Sequence, residues 1–314
     1  MDRIATNTAY SSMLANLMKA ELAQSKAGSQ LSTQEKATDL KGYAGGAESL
    51  TAMQATMTQV TGYLNNSQLT GAKLSLQDSA LSQVEGSATS AVSAITNAIA
   101  VGSGTGLMSQ LESAFEDAVQ GLNTTYDGQY LFAGGQVNTQ PVSATNLSDL
   151  TSAPSIASLF HNDQRVTSTQ VDQNTSVSTG FLADQVGTPL FTALQAIEAY
   201  DQGPNGPLGA TLTQAQTDFL TQQLSGMKTV ETNLTQTTAA NGLAQSMVEK
   251  TQSALSSRQD MLQGLIDDQS QADVAKAATD LQQAQYSIQA AGQIFQALNS
   301  ASLLNSLSAP SALG

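Results

Sequence analysis

The stretch from residue 220 to residue 262 decides the fold, and it reads LTQQLSGMKTVETNLTQTTAANGLAQSMVEKTQSALSSRQDML. Residues seven apart in this stretch occupy one position of a seven-residue repeat, which we call a column, and six of the seven members are apolar. The column comprises Leu220, Met227, Leu234, Asn241, Val248, Leu255 and Leu262. A seven-residue repeat sustained over this length is typical of the narrow seam of a coiled coil rather than the broad apolar face of a globular helix. The stretch therefore predicts a long helix that pairs with another.

A partner column lies in the first third of the chain. It comprises Met53, Val60, Ser67, Leu74, Leu81, Ala88 and Ile95. A helix from about residue 47 to residue 100 would be roughly 80 Å long at ~1.5 Å per residue. We expect the large apolar members of both columns to form one seam within the chain. These expected seam residues are Met53, Val60, Leu74, Leu81, Ile95, Leu220, Met227, Leu234, Val248, Leu255 and Leu262.

A third column occupies the end of the chain. It comprises Val274, Leu281, Ile288 and Phe295, and Ala277, Ala284, Ala291 and Leu298 each follow three residues later. Val274 comes twelve residues after Leu262 instead of fourteen, so the pattern changes register near residues 267–270. Ser270 and Asp273 have the spacing of a capping pair, which indicates that a new helical segment begins there.

Proline and charge divide the chain in the same way. Five of the six prolines lie between Pro141 and Pro207, and proline is excluded from helix interiors. From Leu74 to Met227, Arg165 is the one basic residue against 13 acidic ones. We predict a mainly α fold: a long coiled-coil-like bundle of paired N- and C-terminal arms with a small β-containing insertion. The predicted parts are terminal helices (1–45 with 270–314), a rod-like helical domain (46–140 with 208–269) and an outer insertion (141–207).

Shorter elements are predicted from local patterns. Asp127-Gly128 and Gly134-Gly135 bracket an apolar run, which favours a strand over residues 129–133 entered by a tight turn. Thr- and Val-rich runs predict further strands. The remaining expectations are a helix over 107–122, strands over 165–171 and 175–179, a helix over 188–200, and a capping box of Thr211 and Gln214 that starts the return arm.

Composition excludes several classes of function. The chain has 11 Lys and Arg residues against 25 Asp and Glu, so it lacks the basic surface that nucleic-acid binding needs. No apolar run approaches the ~18–20 residues of a membrane span. There is no cysteine, which removes disulfides and thiolate ligands. Charged residues interrupt the first thirty positions, so we expect no cleavable signal peptide.

No motif supports an enzyme, a metal site or a cofactor. His161 is the one histidine, and no second His or Cys exists to complete a transition-metal site. The sequence Gly102-Ser103-Gly104-Thr105-Gly106 lacks the Lys-Ser/Thr end of a phosphate loop, so we interpret it as a link between helices. Asp267 and Asp268 have no partner histidine and fit a solvated helix surface. We therefore predict no catalytic residue, no metal ligand and no cofactor.

Three segments give the chain a family resemblance. Its start, Arg3-Ile4-Ala5-Thr6-Asn7-Thr8-Ala9-Tyr10, resembles the opening of the hook–filament junction proteins (hook-associated protein 3) of the flagellin family. Residues 122–134, LNTTYDGQYLFAG, are similar to that family's Asp/Asn-Gly and Tyr-Leu-Phe-Ser/Ala-Gly segment. Residues 271–281 and 302–307 resemble the shared flagellin-family C-terminus. One departure is residues 38–43, TDLKGY, where many members have an Asn-rich Ser-Asp-Asp-Pro segment.

The resemblance implies a structural subunit of the bacterial flagellum that joins hook to filament at the hook–filament junction. It further implies type III export without a cleaved signal peptide, and assembly of the terminal helices into an inner tube or ring. The implied partners are further copies of the chain, hook or other hook-associated subunits, flagellin and an export chaperone, with no nucleic acid and no membrane. The expected assembly interface comprises Ile4, Leu14, Met18, Leu22, Val274, Leu281, Ile288, Phe295 and Leu298.

Two alternatives stay open at this point. The first is a flagellin, the filament-forming subunit itself, which would share the same terminal helices. The second is a free coiled-coil adhesin or secreted effector, which would be folded and monomeric at both ends.

Overall fold

The structure, a computed structural model, describes residues 2–307, and the predicted mainly α fold is confirmed. The α-helices are α1 (Asp2–Thr33), α2 (Ala47–Val101), α3 (Leu107–Leu122), α4 (Asp149–Ser152), α5 (Ala183–Asp201), α6 (Gln214–Ser270) and α7 (Val274–Leu307). Two 3-10 helices cover Leu40–Gly46 and Ile156–Leu159. Residues 59–258 form one compact unit, the central unit, and the described residues at both chain ends form a second, the terminal unit.

The central unit is built on the pairing of α2 with α6. Thr89 donates a hydrogen bond to Glu231 Oε1 (2.8 Å), and Thr235 donates one to Glu85 Oε1 (2.7 Å), so the two helices run antiparallel. The structure buries ten of the eleven expected seam residues and leaves Met53 half-buried. The two polar members of the columns, Ser67 and Asn241, are also fully buried. The seam is therefore apolar except over one short stretch.

A larger core forms where α3 and α5 join this pair. Phe115 of α3 and Phe191 of α5 are fully buried, with ring centroids 5.0 Å apart. Phe160 stacks on Phe191 at 5.3 Å. Gly121 allows α3 to approach α2 closely, because a Cβ there would lie 2.9 Å from a methyl carbon of Val84. Side chains from residues 141–207 thus share one core with α2, α3 and α6.

Two antiparallel hairpins accompany the helices. Strand β1 (Thr125–Tyr126) pairs with β2 (Gln129–Tyr130) across Asp127 and Gly128, both at positive φ, as a two-residue turn requires. The predicted strand over 129–133 is therefore too long, because the chain turns inward and buries Phe132 and Ala133. Strand β3 (Ser168–Asp172) pairs with β4 (Thr175–Ser178), close to the predicted ranges.

Two helix starts differ from the prediction. Helix α5 begins at Ala183 instead of residue 188 and contains Pro189. Proline cannot donate a backbone hydrogen bond within a helix. The neighbouring Val186, Leu190 and Phe191 are buried. The capping box of α6 lies two residues later than predicted. The Thr213 N–H donates to Gln216 Oε1 (2.9 Å), and the Gln216 N–H donates to Thr213 Oγ1 (3.3 Å).

The terminal unit contains the predicted break between the last two helices. Helix α6 ends at Ser270 and α7 begins at Val274. Asp273 caps α7, because its Oδ1 accepts from the Lys276 N–H (2.9 Å). Helix α7 lies against α1.

Candidate assembly surface

Small side chains form the contact between α1 and α7. Ala20 and Ala27 of α1 are buried, and so are Ala277 and Ala284 of α7. Tyr10 meets Phe295 at the other end of the pair, so the two helices are antiparallel. Alanine at the contact lets the two backbones approach closely.

The larger side chains of α1 form an exposed apolar face. The exposed fraction is 48% for Tyr10, 50% for Leu14, 62% for Met18 and 72% for Leu22. These residues are four apart, so they lie along one side of the helix. A contiguous apolar stripe of this kind is typical of a surface that another molecule covers.

The expected interface residues of α7 divide into two groups. Val274 and Phe295 are exposed, at 47% and 41%. Leu281, Ile288 and Leu298 are half-buried. The backbone of Ile4 lies in α1, but its side chain lies outside the described residues.

An apolar groove lies between α1 and α7 at the end of the pair where Tyr10 meets Phe295. It has a volume of about 310 Å³. The residues that line it are Tyr10, Met13, Leu14, Leu17, Ala291, Gly292 and Phe295. The ring centroids of Tyr10 and Phe295 lie 5.8 Å apart. The expected interface residues did not include Tyr10, Met13 or Leu17. The four-residue spacing of Tyr10, Leu14 and Met18 could have indicated Tyr10, because it places all three on one side of the helix.

A second groove lies at the opposite end of the α1–α7 pair and has a volume of about 750 Å³. It is lined by alanines of both helices and by the charged side chains of Lys19, Lys26, Lys276 and Asp280, among others. Lys276 Nζ lies 2.6 Å from Asp280 Oδ2. The hydrogen bond that Lys276 donates to this carboxylate raises the pKa of its ammonium group. Charged side chains therefore accompany the alanine contact at this end of the pair.

Lys36 connects the loop after α1 to the end of α6. Its Nζ donates to the carbonyl oxygens of Asp268 and Gln269, both at 2.8 Å. Its backbone N–H donates to Ser270 O (2.7 Å), and the Ala272 N–H donates to Gln34 O (2.8 Å). Carbonyls in the last turn of a helix have no partner within the helix and favour a cation. Sequence reasoning missed this joint, because its partners are more than 230 residues apart.

The candidate catalytic and phosphate-binding residues of the sequence take part in turns and links of the fold. His161 is exposed, and its N–H donates to Pro141 O (2.8 Å). The 102–106 segment links α2 to α3, as interpreted, and the Gly104 N–H donates to Gly209 O (2.8 Å). Within residues 2–307, no three His, Cys, Asp or Glu side chains are grouped to hold a metal ion. None of the described helices combines the length and the apolar character that crossing a membrane requires.

Comparison with known proteins relates the N-terminal part of the chain to a known family. Residues 4–137, which include α1, α2, α3 and the first hairpin, match the family model of the bacterial flagellin N-terminal helical region. This part of the chain is therefore similar to a flagellin N-terminal helical region. The resemblance to flagellin-family proteins predicted from the sequence is confirmed. No curated protein matches the chain by sequence.

Two solved structures are similar to the chain, and the first of them shares its fold. One is described as a flagellar hook-associated protein of Vibrio parahaemolyticus; it is 15% identical, with a TM-score of 0.59 over 71% of this chain and 96% of the other. The second is FlgL of Bacillus cereus, 16% identical, with a TM-score of 0.44 over 68% of this chain and 99% of the other. At this identity, the first likeness establishes a shared fold around the flagellin-like region.

Proposed function

We propose that the chain is a structural subunit of the bacterial flagellum that joins the hook to the filament and polymerises through its terminal helices. The observation that carries the proposal is the apolar face of α1, where Leu14, Met18 and Leu22 remain at least half exposed. Burial of this face against neighbouring subunits would be favourable at ~25 cal/mol per Å² of apolar surface. The flagellin-like N-terminal region and the hook-associated fold support a flagellar role.

We further propose a division of labour along the chain. Residues 1–45 with 270–314 would make the inner contacts between subunits, and 46–140 with 208–269 would form the helical body. Residues 141–207 would form the outer part of the subunit. The acid-rich charge between Leu74 and Met227 favours a solvated position for the middle of the chain, whereas the nearly neutral ends allow dense packing of identical copies.

The proposed partners follow from a junction position. One side of the assembled zone would contact hook or other hook-associated subunits, and the other would contact flagellin. An export chaperone would cover the apolar terminal face before assembly. The proposed location is the extracellular hook–filament junction, reached through the flagellar export apparatus.

A flagellin is the second candidate, because the matching family model is that of flagellin itself. The two candidates differ in how the polymer grows. A flagellin accepts its own kind at both faces of the lattice, so growth continues indefinitely. A junction subunit matches different partners on its two faces, so self-addition stops early.

Seeded assembly distinguishes them. Purified full-length chain is added to hook-bearing fragments, followed by flagellin, and each stage is imaged with immunogold label. The junction assignment predicts a short labelled zone beside the hook from which flagellin then grows. A strain that lacks the chain should keep its hooks and release flagellin unpolymerised. Micrometre-long filaments of the chain alone would establish the flagellin alternative instead.

A further inference from the structure

Polar side chains interrupt the α2–α6 seam of the central unit over one stretch. Ser67 and Gln77 of α2 and Asn241 of α6 are all fully buried. On one side of the stretch the seam continues with the buried Leu81 and Leu234, and on the other with the buried Val60 and Leu255. We call residues 67–78 of α2 and 241–252 of α6 the polar layer.

Amide side chains of α6 hold the two helices together in this layer. Asn241 Nδ2 donates to Leu74 O (3.0 Å) and to Asp78 Oδ1 (3.1 Å). Gln245 Nε2 donates to the same Leu74 carbonyl (3.0 Å), and Gln252 Nε2 donates to Ser67 O (2.8 Å). Hydrogen bonds from side-chain amides thus join the helices here, beside the buried apolar side chains of Leu74 and Val248.

The hydrogen bonding in the polar layer is incomplete. Ser67 Oγ, Asn241 Oδ1 and both amide atoms of Gln77 are buried and have no hydrogen-bond partner among the described residues. A buried polar atom without a partner costs the free energy of its lost hydration. Lys73 lies in the same layer, and partial burial lowers the pKa of its ammonium group. The layer is therefore a weak part of the seam.

The layer also marks the limit of the large core. On α2 this core extends from Ala80 to Ala98, and on α6 it ends at Leu234. A separate small cluster covers the layer, formed by Leu74 and Val248 with Val171 and Val177 of the β3–β4 hairpin. Beyond the layer, the α2–α6 pair extends away from both clusters through residues 59–66 and 253–258 of the central unit. We call these residues the extension.

We propose that the polar layer breaks the folding cooperativity of the central unit, so that the extension opens and closes while the large core stays folded. Local openings of lower free energy than global unfolding occur where few apolar contacts are made. A fully apolar seam would couple the extension to the core and make the two open together. This inference does not depend on the proposed flagellar role.

Hydrogen exchange on the full chain under native conditions tests the inference. Amides of the extension should exchange at least 100-fold faster than amides of the core segments 84–95 and 223–234. In Asn241→Leu, the ratio of the exchange rate of the extension to that of the core should fall at least tenfold, because an apolar side chain then continues the seam. Asn233→Leu is the matched control, since Asn233 is exposed on the same helix, and it should leave the ratio unchanged.

Equal exchange of extension and core in the unmodified chain would overturn the inference. So would an unchanged ratio in a folded Asn241→Leu variant. If that variant does not fold, Gln77→Leu replaces it, because it removes two unpartnered buried atoms without removing a cross-helix hydrogen bond.

Discussion

Lys36 Nζ lies 2.8 Å from the carbonyl oxygen of Gln269, one residue before α6 ends. The contact joins the segment that leaves α1 to the segment that enters α7. A cation at the carboxyl end of a helix is stabilising by 0.3–1 kcal/mol in general. The N-terminal and C-terminal arms of the chain are therefore tied together by a side chain as well as by the alanine contact of α1 with α7.

Lys36→Met should loosen this joint, because it keeps the aliphatic length of the side chain and removes the charge and both hydrogen bonds. We expect a cost of about 1 kcal/mol. The Ala272 N–H, which donates to Gln34 O beside the joint, should exchange roughly five-fold faster. Lys41→Met is the control, since Lys41 is exposed on the following 3-10 helix. Equal exchange in both variants would show that the Lys36 side chain does not hold the joint.

Leu22→Asp should block assembly and leave the isolated subunit stable. Leu22 is 72% exposed, so the substitution should change the free energy of unfolding by no more than ~0.5 kcal/mol. A charge on a face buried between subunits would be strongly unfavourable. Leu69→Asp is the control, because Leu69 is 62% exposed on α2. Incorporation is measured in the seeded assay, and normal incorporation of Leu22→Asp would exclude this face from the interface.

Ala284→Leu should separate α1 from α7. Ala284 is 4% exposed at the contact of the two helices, so the added carbons of a leucine there would press against α1. Overpacking of this kind costs about 1–3 kcal/mol. Amides along α1 should lose protection against exchange. Ala290→Leu on the exposed side of α7 should have no such effect, and equal losses in both variants would contradict the contact.

Glu198→Gln should stabilise the central unit at neutral pH. Burial raises the pKa of the Glu198 carboxyl, and the nearby carboxylates of Asp201 and Glu112 raise it further. The folded state therefore binds a proton more tightly than the unfolded state, so stability is lost as pH rises through the folded pKa. The variant should melt higher at pH 7, and its advantage should vanish below the unfolded value of 4.5. Glu116→Gln is the control, because it removes a carboxylate from an exposed site on α3 of the same unit.

The sequence predicted the features that repeat and missed those that depend on distant contacts. Heptad spacing alone placed Leu74 and Leu234 in columns, and both are buried. It placed Ala284 three residues after Leu281 of the third column, but it did not indicate Ala20, because no column was found in the segment that forms α1. Gln77 lies outside the predicted columns, so its burial follows from the three-dimensional packing of the helices around it. The contacts of Lys36 likewise arise only when the two chain ends meet.

Because residues 141–207 share a core with the helices, we expect only part of this segment to be dispensable. Replacing Ser168–Ser178 by Asn-Gly should preserve the fold, since the Thr179 N–H already donates to Thr167 O (2.9 Å) and a two-residue turn can close that pair. The loss of Val171 and Val177 would uncover Leu74 and Val248 at a cost of about 1–3 kcal/mol.

Replacing all of 141–207 by a Gly/Ser linker should instead unfold the central unit. It would remove Phe160 and Phe191 along with the other apolar side chains of α5, and leave the fully buried Phe115 uncovered. Each such loss costs about 3–5 kcal/mol, and together they exceed the 5–15 kcal/mol stability of a typical domain. Thermal melting followed by circular dichroism compares both variants with the unmodified chain. A cooperative, unshifted transition after the larger replacement would show that α2, α3 and α6 form a self-sufficient core, and that the buried contacts of α5 do not stabilise it.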